Sequence, residues 1–99
     1  MAMYARISTI EGDAGKIDDA VAAINEKVLP TLKGIEGFTA ANFAVDRSTG
    51  KMVGIAFWAS EDALEKSVEA VNPIRTAVAD AMGGKVVGVE SYELVAQSW

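Results

Sequence analysis

The sequence contains no cysteine and no histidine, and each absence excludes whole classes of site. Without cysteine, the chain has no disulfide, no thiolate nucleophile and no thiolate-bound zinc or iron–sulfur centre. Without histidine, it lacks the commonest general base at neutral pH and the usual ligand of haem iron and other transition metals. Any chemistry must therefore rest on carboxylates, basic side chains, hydroxyl groups, amides and aromatic rings.

Basic residues and long apolar runs are also scarce. The chain has 9 basic and 14 acidic residues, and its net charge of −5 argues against nucleic acid or an anionic membrane surface as a partner. The longest apolar run, around Ile55 to Ala59, is far too short to span a bilayer. The N-terminal residues lack the basic and apolar segments of a signal peptide, so we expect a cytoplasmic protein.

What is present is the composition of an ordinary globular domain. Apolar residues make up 51% of the chain and charged residues 23%, with no linker or low-complexity tract to divide it. A chain of 99 residues is long enough to fold around one hydrophobic core. We therefore expect residues 1–99 to form a single domain.

The hydrophobic pattern predicts the element order β-α-β-β-α-β. Four segments have the alternating or continuous apolar pattern of strands: Met3 to Ile10, Phe38 to Val45, Met52 to Trp58 and Val86 to Val95. This order is that of a ferredoxin-like α+β fold with a four-stranded antiparallel sheet and both helices on one face.

Start and stop signals place the two helices between these strands. The first begins after the cap Asp13 and should kink or loosen near Val28 and Leu29, because Pro30 follows. The second begins after the cap Ser60 and should break and restart at Asn72-Pro73.

The third predicted strand is apolar on both faces, which indicates a sheet that is covered on both sides. Two helices can cover only one face, and the other would expose a large apolar patch. The simplest cover is the same face of a second copy related by a two-fold axis, so we expect a homodimer through the sheet.

Trp58 and Asn42 are the first candidate site residues. Trp58 ends a strand beside the small residues Gly54 and Ala56, so its ring is either a core plug or one wall of a cavity. Asn42 is a polar residue in an apolar strand, on the face assigned to Phe38, Ala40 and Ala44. If it is buried, Asn42 needs a partner, which a ligand can supply.

Four other side chains complete the candidate set. Arg6 shares a strand face with Tyr4, and it either pairs with a helix carboxylate, the favoured interpretation, or contacts an anionic ligand. Arg75 lies near the expected helix break, where a pocket can open, and Tyr92 can place a phenol in a pocket or at the dimer interface. The helix carboxylates have the spacing of a solvated face, so we expect no metal site and no cofactor.

Several segments resemble one family. The strand-to-helix junction Phe57-Trp58-Ala59-Ser60-Glu61-Asp62-Ala63-Leu64 is similar to that of the antibiotic biosynthesis monooxygenase-like domains of the dimeric α+β barrel superfamily. The opening Met3 to Ile7, the segment Val28 to Phe38 and the turn Val45 to Gly50 resemble an uncharacterised bacterial subgroup of it. The resemblance covers nearly the whole chain.

The resemblance implies a homodimer with a pocket between sheet and helices in each subunit. Some members oxidise aromatic, polyketide-like substrates with O₂ and no metal or flavin. Trp58, Asn42 and Arg6 would then act on the substrate, and Tyr4, Tyr92 and Arg75 would bind it. A non-catalytic, ligand-binding or stress-associated dimer is the alternative.

Other members of the family degrade haem, and the resemblance breaks down at their site. Those proteins use a histidine ligand, a strand asparagine and a tryptophan at the strand end. Trp58 matches the tryptophan, but Ala5 or a neighbour replaces the asparagine and the chain has no histidine. Haem degradation by that route is not expected here.

Overall fold

The structure, a computed structural model, describes residues 3–98 and confirms the predicted element order. The four strands are β1 (Met3–Glu11), β2 (Phe38–Asp46), β3 (Lys51–Trp58) and β4 (Lys85–Leu94). They form one antiparallel sheet in the order β2-β3-β1-β4, which is the ferredoxin-like arrangement. Met1, Ala2 and Trp99 lie outside the described residues. Met1 and Ala2 belong to the N-terminal segment whose lack of signal-peptide features led us to expect a cytoplasmic protein.

The first helical region consists of three consecutive segments that follow a 3₁₀ turn at Ala14–Lys16. These are α1 (Ile17–Ala23), a π-helical segment (Ile24–Val28) and α2 (Leu29–Lys33). Asp13 caps the 3₁₀ turn as predicted, since its carboxylate accepts a hydrogen bond from the Gly15 amide at 2.7 Å. The π-helical turn ends two residues before Pro30, which confirms that the helix loosens near Val28 and Leu29.

The second helical region breaks at a different residue from the one predicted. Helix α3 (Glu61–Lys66) is capped by Ser60, whose hydroxyl accepts from the Ala63 amide at 3.1 Å, and Ser67 separates it from α4 (Val68–Ala81). Helix α4 runs through Pro73, so the expected break at Asn72-Pro73 is wrong. Pro73 removes only the hydrogen bond to the Glu69 carbonyl, and water can replace it because both residues are exposed.

The hydrophobic core lies between one face of the sheet and the helices. Its strand members Ile10, Met52 and Trp58 pack with helix residues such as Ile17 and Val78. Ala5 and Phe57 are buried on the opposite face and do not belong to this core. No helix within residues 3–98 packs on that outer face, and none has the length and apolar character needed to cross a bilayer.

Candidate ligand site between the sheet and the helices

A small cavity lies between the helix side of the sheet and helices α2 and α4. Its volume is about 50 Å³, room for roughly one or two water molecules. Apolar side chains form most of the wall, and the polar exceptions are Arg6 and Ser8 of β1 and Arg75 of α4. Gly54 and Ala56, the small residues noted beside Trp58, form part of the sheet wall.

Arg6 reaches the cavity from a central strand and is almost fully buried, with 4% of its surface exposed. Its Nη1 donates to the Ser67 hydroxyl at 2.9 Å and its Nη2 donates to the Leu64 carbonyl at 2.7 Å. The expected pairing of Arg6 with a helix carboxylate is therefore wrong. The acidic residues of α3 are exposed on its far side, where Asp62 pairs with Lys66 at 3.0 Å instead.

Arg75 projects from α4 into the same cavity. Its Nε donates to the Ser8 hydroxyl at 2.9 Å and its Nη1 donates to the Asn72 amide oxygen at 2.7 Å. Ser8 follows Arg6 on the same strand face, so the two arginines approach the cavity side by side from sheet and helix. Arg75 was predicted at a pocket mouth, and it does line the cavity although the helix break invoked for it is absent.

The two guanidinium groups form a local concentration of positive charge. Burial lowers the pKa of Arg6, and the charge of Arg75 lowers it further. Burial also lowers the pKa of Arg75. Both side chains stay cationic at neutral pH, because the ordinary pKa of arginine lies far above neutrality. Within residues 3–98, neither forms a salt bridge with a carboxylate.

Each guanidinium also has hydrogen-bonding capacity left over. Arginine carries five N–H donors, and both Arg6 and Arg75 use two of them on oxygens of the described residues, which leaves three on each side chain without a partner within residues 3–98. Oxygen atoms of an anion are the natural acceptors for such donors, through charge-assisted hydrogen bonds. The cavity thus has the electrostatics of an anion site.

Trp58 lies behind Arg6 and does not line the cavity. It is completely buried, its ring meets that of Phe38 edge-on at a centroid distance of 5.6 Å, and the Arg6 Cζ lies 5.9 Å from its centroid. Its indole Nε1 has no hydrogen-bond partner among the described residues. Trp58 is therefore a core residue that also offers a cation–π contact to Arg6.

Tyr4 lies beside Trp58 at the end of the sheet, opposite Trp58 on one strand and Glu93 on the other. Its hydroxyl has a raised pKa, first because of burial and then because of the nearby charges of Glu61 and Glu93. Tyr4 thus stays protonated at neutral pH. It shares a face with Arg6 as predicted but does not reach the cavity wall.

Asn42 and Tyr92 lie on the outer face of the sheet, away from the two arginines. Asn42 is exposed opposite Ile55. Tyr92 is exposed opposite Ala5, and it donates a hydrogen bond from its hydroxyl to Glu90 at 2.6 Å, which raises the pKa of the phenol. The structure therefore does not bring either residue together with Arg6 and Arg75.

A bulge in β2 explains why Phe38 does not share a sheet face with Asn42, contrary to the prediction from the sequence. Thr39 and Ala40 together oppose Phe57, so the register shifts after Phe38. Phe38 consequently faces the helices and contacts Trp58, whereas Ala40, Asn42 and Ala44 face outward. The expected shared face is therefore wrong for Phe38.

Ser8 and Phe43 are cavity residues that the sequence did not single out as site candidates. Ser8 could have been found from the strand pattern, because it is two residues from Arg6 and so lies on the same strand face. Phe43 carries no local signal, since its place in the wall depends on its pairing with Gly54 of the neighbouring strand. Residues 3–98 also contain no cluster of acidic side chains able to hold a metal ion.

Comparison with known proteins gives relatives by sequence and neighbours by fold. No protein-family model matches the chain. The sequence is 34% identical over 94 residues to the Uncharacterized protein Rv2557 of Mycobacterium tuberculosis, which covers 95% of this chain and 42% of that protein. The chain thus spans about two fifths of the length of the curated relatives it matches.

Two solved structures share the fold over almost the whole chain. The first is the monooxygenase from the gene ActVA-Orf6 of Streptomyces coelicolor in complex with nanaomycin D, with TM-score 0.69, 18% identity, and coverage of 99% of this chain and 90% of that one. The second is SnoaB, a cofactor-independent oxygenase from Streptomyces nogalater, with TM-score 0.61, 16% identity, and coverage of 100% and 97%. At these identities the likeness establishes the fold.

Proposed function

We propose that this chain, which has the fold of the antibiotic biosynthesis monooxygenase-like domains, binds a small aromatic or polyketide-like anion and oxygenates it without a cofactor. The observation that carries this function is the pair Arg6 and Arg75, two cations in an apolar cavity without a carboxylate partner among residues 3–98. Arg6 is buried and Arg75 is half-buried. Charges removed from water without a counter-ion are costly, and a bound phenolate or enolate offsets that cost.

An anionic substrate also fits the chemistry of oxygenation without a metal or flavin. A carbon conjugated to a phenolate or enolate is electron-rich enough to reduce O₂ directly. When such a methylene becomes a carbonyl, one oxygen atom enters the product and the other leaves as water, so no further reductant is consumed. Arg6 and Arg75 would hold the anion and stabilise negative charge on the oxygenated intermediate, and Trp58 would position Arg6 from behind.

Two structures with the same fold support this assignment because both are oxygenases. One is described as a monooxygenase in complex with nanaomycin D and the other as a cofactor-independent oxygenase. Both share the sheet-and-helix architecture that here encloses the two arginines. The relatives found by sequence are uncharacterized proteins, so they do not indicate an activity. They are also longer proteins, of which this chain matches only a part.

The test is oxygen-dependent turnover of dithranol, a tricyclic hydroxyanthrone with an acidic methylene. We expect O₂ uptake and quinone formation above the uncatalysed rate, and a loss of about 10- to 100-fold in kcat/KM in Arg75→Met, which removes charge-assisted hydrogen bonds. Arg47→Met is the matched control, because Arg47 is an exposed arginine that pairs with Asp18 at 3.0 Å outside the cavity. Equal rates for both variants would contradict the assignment.

A ligand-binding dimer without catalysis is the second candidate. The lack of any candidate base among the residues that line the cavity favours it. The probe is lawsone, a bicyclic hydroxyquinone that is an enolate at neutral pH, compared with its neutral methyl ether. Saturable binding of lawsone alone, without dithranol turnover, would establish the second candidate. Failure to bind lawsone together with no dithranol turnover would eliminate both.

We further propose that the outer face of the sheet pairs with a second copy. Ile7, Val53 and Ile55 lie on this face and are only half-buried, with Asn42 and Tyr92 around them. Sedimentation should give the mass of two chains, and Ile7→Asp should give the mass of one because a charge cannot be buried there unpaired. Ala22→Asp, on an exposed helix position, is the control and should stay dimeric.

A further inference from the structure

We propose that Phe43 is the gate of the cavity, and that ligands enter past it between β2 and the helical region Ile17 to Lys33. Phe43 then also limits the size of the ligand. This inference deepens the proposed function, since it concerns access to the same site, but its benzene test does not depend on anion binding.

The ring of Phe43 occupies the space that a glycine leaves open. Phe43 is paired with Gly54 across β2 and β3, and a Cβ atom added to Gly54 would lie only 2.8 Å from Phe43 Cε2. The space expected beside Gly54 therefore exists, but an aromatic side chain from the edge strand fills part of it. This explains why the cavity is much smaller than the ~300–1,000 Å³ of typical ligand sites.

Phe43 also lies between the cavity and a groove at the edge of the sheet. A groove of about 240 Å³ runs between the helical region and β2, and it is lined by Val21, Ile24, Asn25, Leu29, Ala41, Asn42, Phe43, Val45 and Met52. Among the described residues, only Phe43 lines both this groove and the inner cavity. Rotation of this one side chain would join the two spaces and bring the volume close to the lower end of the range of ligand sites.

The helical wall opposite Phe43 is the least regular part of the helices. Ile24 and Leu29 line the groove and Val28 lines the cavity, and all three belong to the π-helical segment or adjoin it. The Leu29 amide bonds to the Ile24 carbonyl, five residues back, and Pro30 has no amide hydrogen to donate to Glu26. A wall with fewer regular hydrogen bonds can yield more easily when the ring moves.

The test uses benzene, a neutral probe that needs no anion site, because apolar cavities created by large-to-small substitution bind it. In Phe43→Ala we expect saturable benzene binding by NMR titration, with an affinity at least about tenfold higher than that of the wild type. Val45→Ala is the matched control, since Val45 lines the groove but not the cavity, and Phe43→Leu serves if the alanine variant does not fold.

Lawsone gives the second readout. We expect its association rate to rise in Phe43→Ala and Phe43→Leu and to be unchanged in Val45→Ala. If the Phe43 variants bind benzene no better than Val45→Ala does, the proposed gate is wrong, whatever the lawsone association rates are. If benzene behaves as expected but no variant binds lawsone or turns over dithranol, the gate stands and the proposed function fails.

Discussion

Replacement of Trp58 by alanine is expected to lower the free energy of unfolding by about 3–5 kcal/mol. Trp58 is completely buried between the sheet and the helices, and its ring packs edge-on against Phe38. Truncation would remove the largest fully buried side chain of the described core and leave a cavity that the surrounding strands cannot close. Urea unfolding at fixed protein concentration measures the loss, because association would otherwise shift the midpoint.

Trp58→Phe separates packing from hydrogen bonding at the same position. The indole Nε1 has no acceptor within residues 3–98, so this variant loses ring volume without breaking a described hydrogen bond, and we expect a loss of only ~1–2 kcal/mol. If Trp58 acts only by packing and by positioning Arg6, Trp58→Phe should bind lawsone nearly as well as the wild type. A large loss of lawsone affinity with little loss of stability would instead show that the indole N–H contacts the ligand.

The elements that could be predicted are those encoded by neighbouring residues. Strand periodicity placed all four strands to within one residue at each end, and Ser60 and Asp13 cap helical segments as their short polar side chains suggested. The loosening before Pro30 was also predictable, because a missing amide hydrogen is a property of the residue itself. Local chemistry of this kind needs no knowledge of the packing.

The misjudged features depend on contacts between distant segments. Pro73 was expected to break its helix, but an exposed position tolerates the missing hydrogen bond, and the break falls at the buried Ser67. Ser67 also accepts a hydrogen bond from Arg6, 61 positions away in the sequence. A residue that serves both a helix junction and a strand arginine has no signature in either segment alone.

The candidate site shows the same division. Arg6 was picked out for its charge and Arg75 for its place near an expected helix break that is absent, and the structure brings both to one cavity. The β2 bulge, by contrast, turned Phe38 inward while Asn42 stayed on the outer face, because one extra residue inverts the side-chain alternation. Gly54 did indicate free space, but only the pairing of β2 with β3 shows that Phe43 fills it.

Arg6→Met is expected to reduce the affinity for lawsone by about 100-fold while changing the free energy of unfolding by no more than about 1 kcal/mol. The variant loses hydrogen bonds to Ser67 and to the Leu64 carbonyl, but it also removes a buried cation that no carboxylate within residues 3–98 neutralises. Ser67 keeps its own bond to the Leu64 carbonyl at 2.6 Å, so that oxygen is not left unpaired. Calorimetric titration and urea unfolding give the two quantities.

The opposite pair of results would identify Arg6 as a structural residue. A loss of several kcal/mol in stability with unchanged lawsone affinity means that the guanidinium serves to join β1 to the junction of α3 and α4. Arg47→Met again controls for the removal of an arginine, since its ion pair with Asp18 is exposed.

A double-mutant cycle then tests whether Arg6 and Arg75 hold the same anion. If one enolate lies between both guanidinium groups, the two single losses are coupled, and Arg6→Met/Arg75→Met should lose less affinity than the product of the single losses. Strictly multiplicative losses would mean that the two arginines act on separate ligands or separate steps, and the shared anion site would be wrong.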